Sequence, residues 1–138
     1  MNMNEHEWVV EKIVGAAYEV ANVLGCGFLE KVYERAMVRE LAGRGLRVER
    51  QVAFGVEYKG ESVGQYVADL MVEGEILVEL KCVERFANEH IAQCINYLRA
   101  SGRELAVLVN FQRARVEWRR VVYTKRQEPG PRMNVNEH

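Results

Sequence analysis

"QYVADLMVEGEILVELKCV", residues 65–83, holds two apolar runs that alternate at period two on either side of Glu-Gly-Glu. That pattern predicts two strands joined by a tight turn. Successive strand side chains point to opposite faces. In the second strand Ile76, Val78, Leu80 and Cys82 should therefore share one face, and Leu77, Glu79, Lys81 and Val83 the other. In the first, Tyr66, Ala68, Leu70 and Val72 should form one face, with Gln65, Val67, Asp69 and Met71 opposite. Asp69, Glu79 and Lys81 thus carry charge into apolar company.

Turn length sets how the two strands meet. With residues 73–75 as a three-residue loop, Val72 pairs with Ile76, Asp69 falls opposite Glu79, and Val67 faces Lys81. Directly opposed Cβ atoms lie about 4.5–5.5 Å apart. A two-residue loop would send the two acids to opposite faces. Two arrangements satisfy such a cluster. Lys81 can bridge both acids as an ion triad that serves packing alone, or a cation can sit between the carboxylates. The acids repel unless one is protonated or a cation intervenes. Their oxygens are hard donors suited to Mg²⁺ or Mn²⁺. A buried triad is costly as a stabilising device, which favours the cation.

Outward from this hairpin, apolar residues at helical spacing predict helices over 7–24, 28–42 and 88–100. The first two are stopped by Gly-Cys-Gly at 25–27 and Gly-Arg-Gly at 43–45. Strands are expected over 46–52, 54–58, 62–72, 76–83, 105–111 and 116–123. The order ααββββαββ indicates an α/β or α+β domain around a mixed sheet. A single domain should cover 1–123. The tail 124–138 holds both prolines and little to bury, so it is expected to be flexible.

The second helix places Glu30 at the edge of an apolar stripe with Tyr33 and Met37, and the third sets Gln93 one turn before Tyr97 and one turn after His90. A net charge of -1 does not advertise a polyanion. The basic residues nevertheless concentrate in the last third, where Arg113, Arg115, Arg119 and Arg120 interleave with Trp118 and Tyr123. Three scattered cysteines without zinc spacing suit a reducing, cytoplasmic setting. No apolar run approaches the roughly 20 residues that span a bilayer, so no membrane partner is expected. The long first helix and the strand after Asn110 offer surfaces for a homo-oligomer.

Asp69 followed by Glu79-x-Lys81 on adjacent strands resembles the active-site pattern of the PD-(D/E)XK nuclease superfamily. "GFLEKVY", residues 27–33, is similar to the signature of the GxxExxY proteins, a family within it, and the similarity runs on through "HIAQCINYL" and "LVNF". Ala68 stands where the superfamily's name has Pro. The resemblance implies a restriction-endonuclease-like fold and a Mg²⁺- or Mn²⁺-dependent nuclease acting on DNA. It implies metal ligation by Asp69, Glu79, the Leu80 carbonyl and Glu30. Lys81 would orient the attacking water and stabilise transition-state charge, while Gln93, Tyr97 and Tyr33 would hold substrate. A rival reading keeps the fold but not the catalysis, as a nucleic-acid-binding or self-assembling module.

Overall fold

The computed structural model describes residues 1–124. Apart from its first residue, the tail expected to be flexible from 124 lies outside the described residues. The elements are α1 Met3–Leu24, α2 Glu30–Gly43, β1 Val48–Tyr58, β2 Glu61–Val72, β3 Ile76–Lys81, α3 Asn88–Ser101, β4 Leu105–Asn110 and β5 Glu117–Val122. The first helix starts where Asn2 and Glu5 cap each other's backbone N–H groups, and it ends at Gly25. The third ends at Gly102, whose left-handed backbone a side chain would disfavour.

The strands lie in the order β1-β2-β3-β4-β5. Among the described residues only β3 and β4 run parallel, with α3 as the crossover between them. Helices α1 and α2 cover one face. There Val10, Ile13, Ala17, Met37 and Leu41 pack on Leu70, Val72, Ile76, Val78 and Val107. Helix α3 covers the other, where Ile95 and Leu98 meet Met71, Leu77, Ala106 and Leu108. Strands β3 and β4 are therefore wrapped on both faces, which is why 105–109 and 76–78 read as unbroken apolar runs. The domain is an α+β mixed sheet flanked by helices, as expected.

The central register is as expected too. Val72 pairs with Ile76, Met71 with Leu77 and Leu70 with Val78, so 73–75 is a three-residue loop. Two expectations are corrected. The strands over 46–52 and 54–58 are one strand, because no turn-forming residue separates Val52 from Phe54. The simple alternation along β2 also breaks. Leu70 and Val72 face α1 and α2, but Tyr66 and Ala68, of the same parity, belong to the α3 side with Met71. On β1, Val48 and Val52 are split between the two sides in the same way. Between the two halves, Gln51 and Asp69 face each other unpaired, and Gln51 has a left-handed φ of 56°. Among the described residues, no helix is long and apolar enough to cross a membrane.

Candidate active site

Beyond Leu70 and Val78 the ladder between β2 and β3 gives way to side chains. The Asp69 N–H donates to Glu79 Oε2 at 3.2 Å, and the Leu80 N–H donates to Asp69 Oδ2 at 2.8 Å. Each acid thus takes over a backbone group that a straight sheet would have paired, and the two carboxylates meet where the strands part. Among the described residues, these bonds use Oδ2 of Asp69 and Oε2 of Glu79, and Oδ1 and Oε1 remain for a further partner.

Burial makes this arrangement electrostatically strained. Glu79 is only 6% exposed. Burial first, then the Asp69 charge, push its carboxyl up to about 8. Burial pushes Asp69 up to about 6, with Glu34 and Glu30 adding to the rise. The Leu80 N–H and Lys81 pull Asp69 down, without offsetting the desolvation. Near neutral pH Glu79 therefore keeps its proton beside a largely ionised Asp69, and a divalent cation that takes the proton's place lets both carboxylates ionise.

Lys81 ends β3, with its amine 3.4 Å from Gln93 Oε1 on α3. Tyr97, one turn on from Gln93, lies within the fields of Glu79 and Asp69. Tyr97 is stacked on Tyr66 at 3.8 Å and 5°, which ties α3 to the long β1–β2 hairpin. So Asp69, Glu79, Lys81, Gln93 and Tyr97 do come together. His90 does not join them; its Nδ1 accepts the Ala87 N–H and caps α3.

Glu30 approaches from the other side of the sheet but is already engaged. Its Oε2 accepts the Cys82 N–H at 3.1 Å, pinning the chain just past Lys81. Among the described residues, no three His, Cys, Asp or Glu side chains form a group able to hold a metal ion. Asp69 and Glu79 still suit Mg²⁺ or Mn²⁺, because such ions take one or two carboxylates and leave other positions to water and phosphate.

Tyr33, expected beside substrate, is instead fully buried. Its hydroxyl donates to Gly25 O at 2.6 Å and accepts the Phe28 N–H at 3.3 Å, and its ring stacks on Phe111 at 4.4 Å. The aromatic ring of the signature therefore locks the α1–α2 loop and through it the start of α2, where Glu30 sits. Gly27 in the same loop has φ 109°, which glycine alone adopts readily.

Two residues of the site went unread in the sequence. Asn110 is 3% exposed, and its amide is fully used. It donates to Val83 O and Glu117 Oε1 and accepts the Val83 and Gln112 N–H groups. With Phe111 N–H on Lys81 O, this clamps the exit of β3. Asn110→Ala is expected to cost about 2–4 kcal/mol, since it strands several buried backbone groups; urea unfolding measures it, and a loss under 1 kcal/mol would contradict the clamp. Glu34, one turn after Glu30, is the other. It is 6% exposed and accepts from Arg50 Nε at 2.9 Å and Gln51 Nε2 at 2.7 Å. A helix acid bonded to its own strand carries no periodic signal in sequence.

The basic residues divide. The turn after β4 leaves the sheet at the same end as Lys81, because β3 and β4 run parallel with Lys81 beside Asn110. Arg113 and Arg115 in that turn are exposed near the site. Arg120 lies further along β5, ion-paired with Glu7 of α1 at 2.7 Å and over the Trp118 ring.

A family model described as the PD-(D/E)XK nuclease superfamily matches residues 7–121. Solved structures are similar to the chain, two of them as follows. One is SSO0001, with TM-score 0.55 and 18% identity over 67% of this chain and 48% of that one, so the chain spans about half of its length. The other is an alkaline exonuclease, LHK-Exo, from Laribacter hongkongensis, with TM-score 0.47 and 15% identity over 88% of this chain and 84% of that one. No curated protein matches the sequence.

Proposed function

Because this chain belongs to the PD-(D/E)XK nuclease superfamily, we propose that it is a Mg²⁺- or Mn²⁺-dependent nuclease cutting phosphodiester bonds of DNA. The observation that carries this reading is the mutual engagement of Asp69 and Glu79 across parting strands, with Lys81 on the next same-face position of β3. A buried Glu79 and a half-buried Asp69, each raised by burial and neighbouring acids, are a poor stabilising device and a good cation seat.

Asp69 and Glu79 would hold the ion, with the Leu80 carbonyl as a further contact. When bound, such an ion polarises a phosphoryl oxygen and eases deprotonation of water. Lys81 keeps its amine at the mouth of the site, where it orients the attacking water and offsets charge gathering on the phosphate. Gln93 fixes that amine from α3, and Gln93 with Tyr97 presents polar groups to the substrate backbone. Glu30 contributes by holding Cys82, and so the direction of Lys81. Residue types recognisable as a base-reading module are missing from the sequence, so modest sequence preference is expected.

The test is incubation of purified protein with labelled single- and double-stranded DNA and RNA, with Mn²⁺, Mg²⁺ or EDTA, alongside Asp69→Ala and Lys81→Ala. Cation-dependent cleavage lost by about 10³-fold in both variants supports the reading. Binding without cleavage under every condition, equal in the variants, would instead make the protein a non-catalytic binding module; cleavage of RNA alone would correct the substrate.

Arg113 and Arg115 would add phosphate contacts beside the site. Replacing both with Ala is expected to weaken DNA binding across all sequences and to lower the log-log salt slope by about 1–2. Fluorescence anisotropy over a salt series checks this, and an unchanged slope would remove them from the interface.

A further inference from the structure

The aim of Asp69 depends on a break in the sheet that Asp69 does not make alone. Among the described residues, three non-glycine residues have left-handed backbones: Lys59 and Glu73, each followed by glycine in a hairpin turn, and Gln51, which lies inside a strand. Left-handed geometry is disfavoured for a residue with a Cβ and persists only where surroundings compensate. The compensation here is the bond from Gln51 Nε2 to Glu34 Oε1, the second oxygen of that carboxylate being held by Arg50.

Gln51 stands opposite Asp69, and neither is paired, while Arg50–Leu70 and Val52–Ala68 are paired on either side. At this point both strands exchange their faces. Val48 packs toward α1 and α2 but Val52 toward α3; Leu70 packs toward α1 and α2 but Ala68 toward α3. In an unbroken strand each of these pairs would share a face. Freed from its β1 partner, Asp69 accepts the Leu80 N–H and offers its own N–H to Glu79.

We propose that Gln51 is a positioning residue: its left-handed backbone, tied to Glu34, kinks β1 and β2 together and turns the Asp69 carboxylate onto Leu80 and into the site. The catalytic consequence rests on the nuclease reading above, but the positioning itself does not. Strand breaks of this kind re-aim side chains beside active sites.

The test compares Gln51→Val, whose branched Cβ resists the left-handed region, with Gln51→Gly, which adopts it freely without the amide tie. Amide hydrogen exchange is read at Leu80, with Leu108 in the buried centre of β4 as the reference. In Gln51→Val, Leu80 protection is expected to fall at least 10-fold relative to Leu108, and Mn²⁺-dependent cleavage about 100-fold with the loss in kcat rather than KM. In Gln51→Gly both are expected to stay within about threefold of wild type. If Gln51→Val does not fold, Gln51→Ala, with a smaller penalty of the same sign, should give the same ordering at lower amplitude. Unchanged Leu80 protection in the Val or Ala variant overturns the proposal, as does an equal loss in Gln51→Gly. Should the wild type cleave nothing, the nuclease reading fails while the exchange comparison still judges the kink.

Discussion

Glu79→Gln is expected to raise the melting temperature of the cation-free protein at pH 8 by roughly 5 °C or more, while abolishing cation-dependent cleavage. The reason is the direction of the Glu79 shift. Its carboxyl is pushed up to about 8 in the folded protein from an ordinary 4.5, by burial and by Asp69. Between those values the folded state holds a proton that the unfolded state has released. The stabilisation is therefore complete below about 4.5 and is lost as pH rises through about 8, so the cation-free wild type weakens over that window. Gln carries no charge to desolvate and can keep the acceptor for the Asp69 N–H, so the variant should recover a few kcal/mol at pH 8 and show a flatter pH profile. Adding Mn²⁺ at pH 8 should stabilise the wild type and leave Glu79→Gln unmoved. Thermal melts from pH 5 to 9, with EDTA and with Mn²⁺, decide it. A wild type whose stability rises from pH 5 to 8 would contradict the arrangement of the two acids.

Tyr33→Ala should cost about 3–5 kcal/mol, a large share of the stability of a domain this size. The ring is fully buried and stacked on Phe111 within 3° of parallel. Its removal opens a cavity between α2 and the end of β4, and it frees the loop from Gly25 to Phe28. Tyr33→Phe keeps the ring and removes only the hydroxyl, so about 1–3 kcal/mol is expected, because Gly25 O and Phe28 N–H lose their partner. Cleavage should drop in Tyr33→Phe beyond what its stability explains, since Glu30 follows this loop and its carboxylate holds Cys82 beside Lys81. Urea unfolding gives the first quantity and single-turnover kinetics the second. Equal costs for the two substitutions would mean that the ring does not pack as described.

Much of the site could be read before any coordinates. Asp69, Glu79 and Lys81 stood out as charges in apolar strands, and the length of Glu73-Gly74-Glu75 was enough to place Val72 against Ile76. Gln93 and Tyr97 followed from helical spacing, and the structure brings Gln93 to Lys81 at 3.4 Å and Tyr97 within the fields of Glu79 and Asp69. Tyr33 shows the limit. Its spacing tied it to Glu30 but could not distinguish a residue facing substrate from one facing Phe111, which lies far along the chain. Asn110 and Glu34 were silent for a related reason: a buried polar residue is identified by its partners, and those come from other elements.

The sequence by itself determined the three helices, the strands from 62 onward, the register of β2 on β3 and which charges meet there, because alternation, turn length and glycine stops are local properties. Only the tertiary structure decided that β2 does not alternate through to Asp69. That break comes from Gln51 on a neighbouring strand, held in a left-handed conformation by Glu34 on a helix. No local preference of Gln predicts it, since the bond that offsets the strain joins residues that meet only when α2 packs on β1.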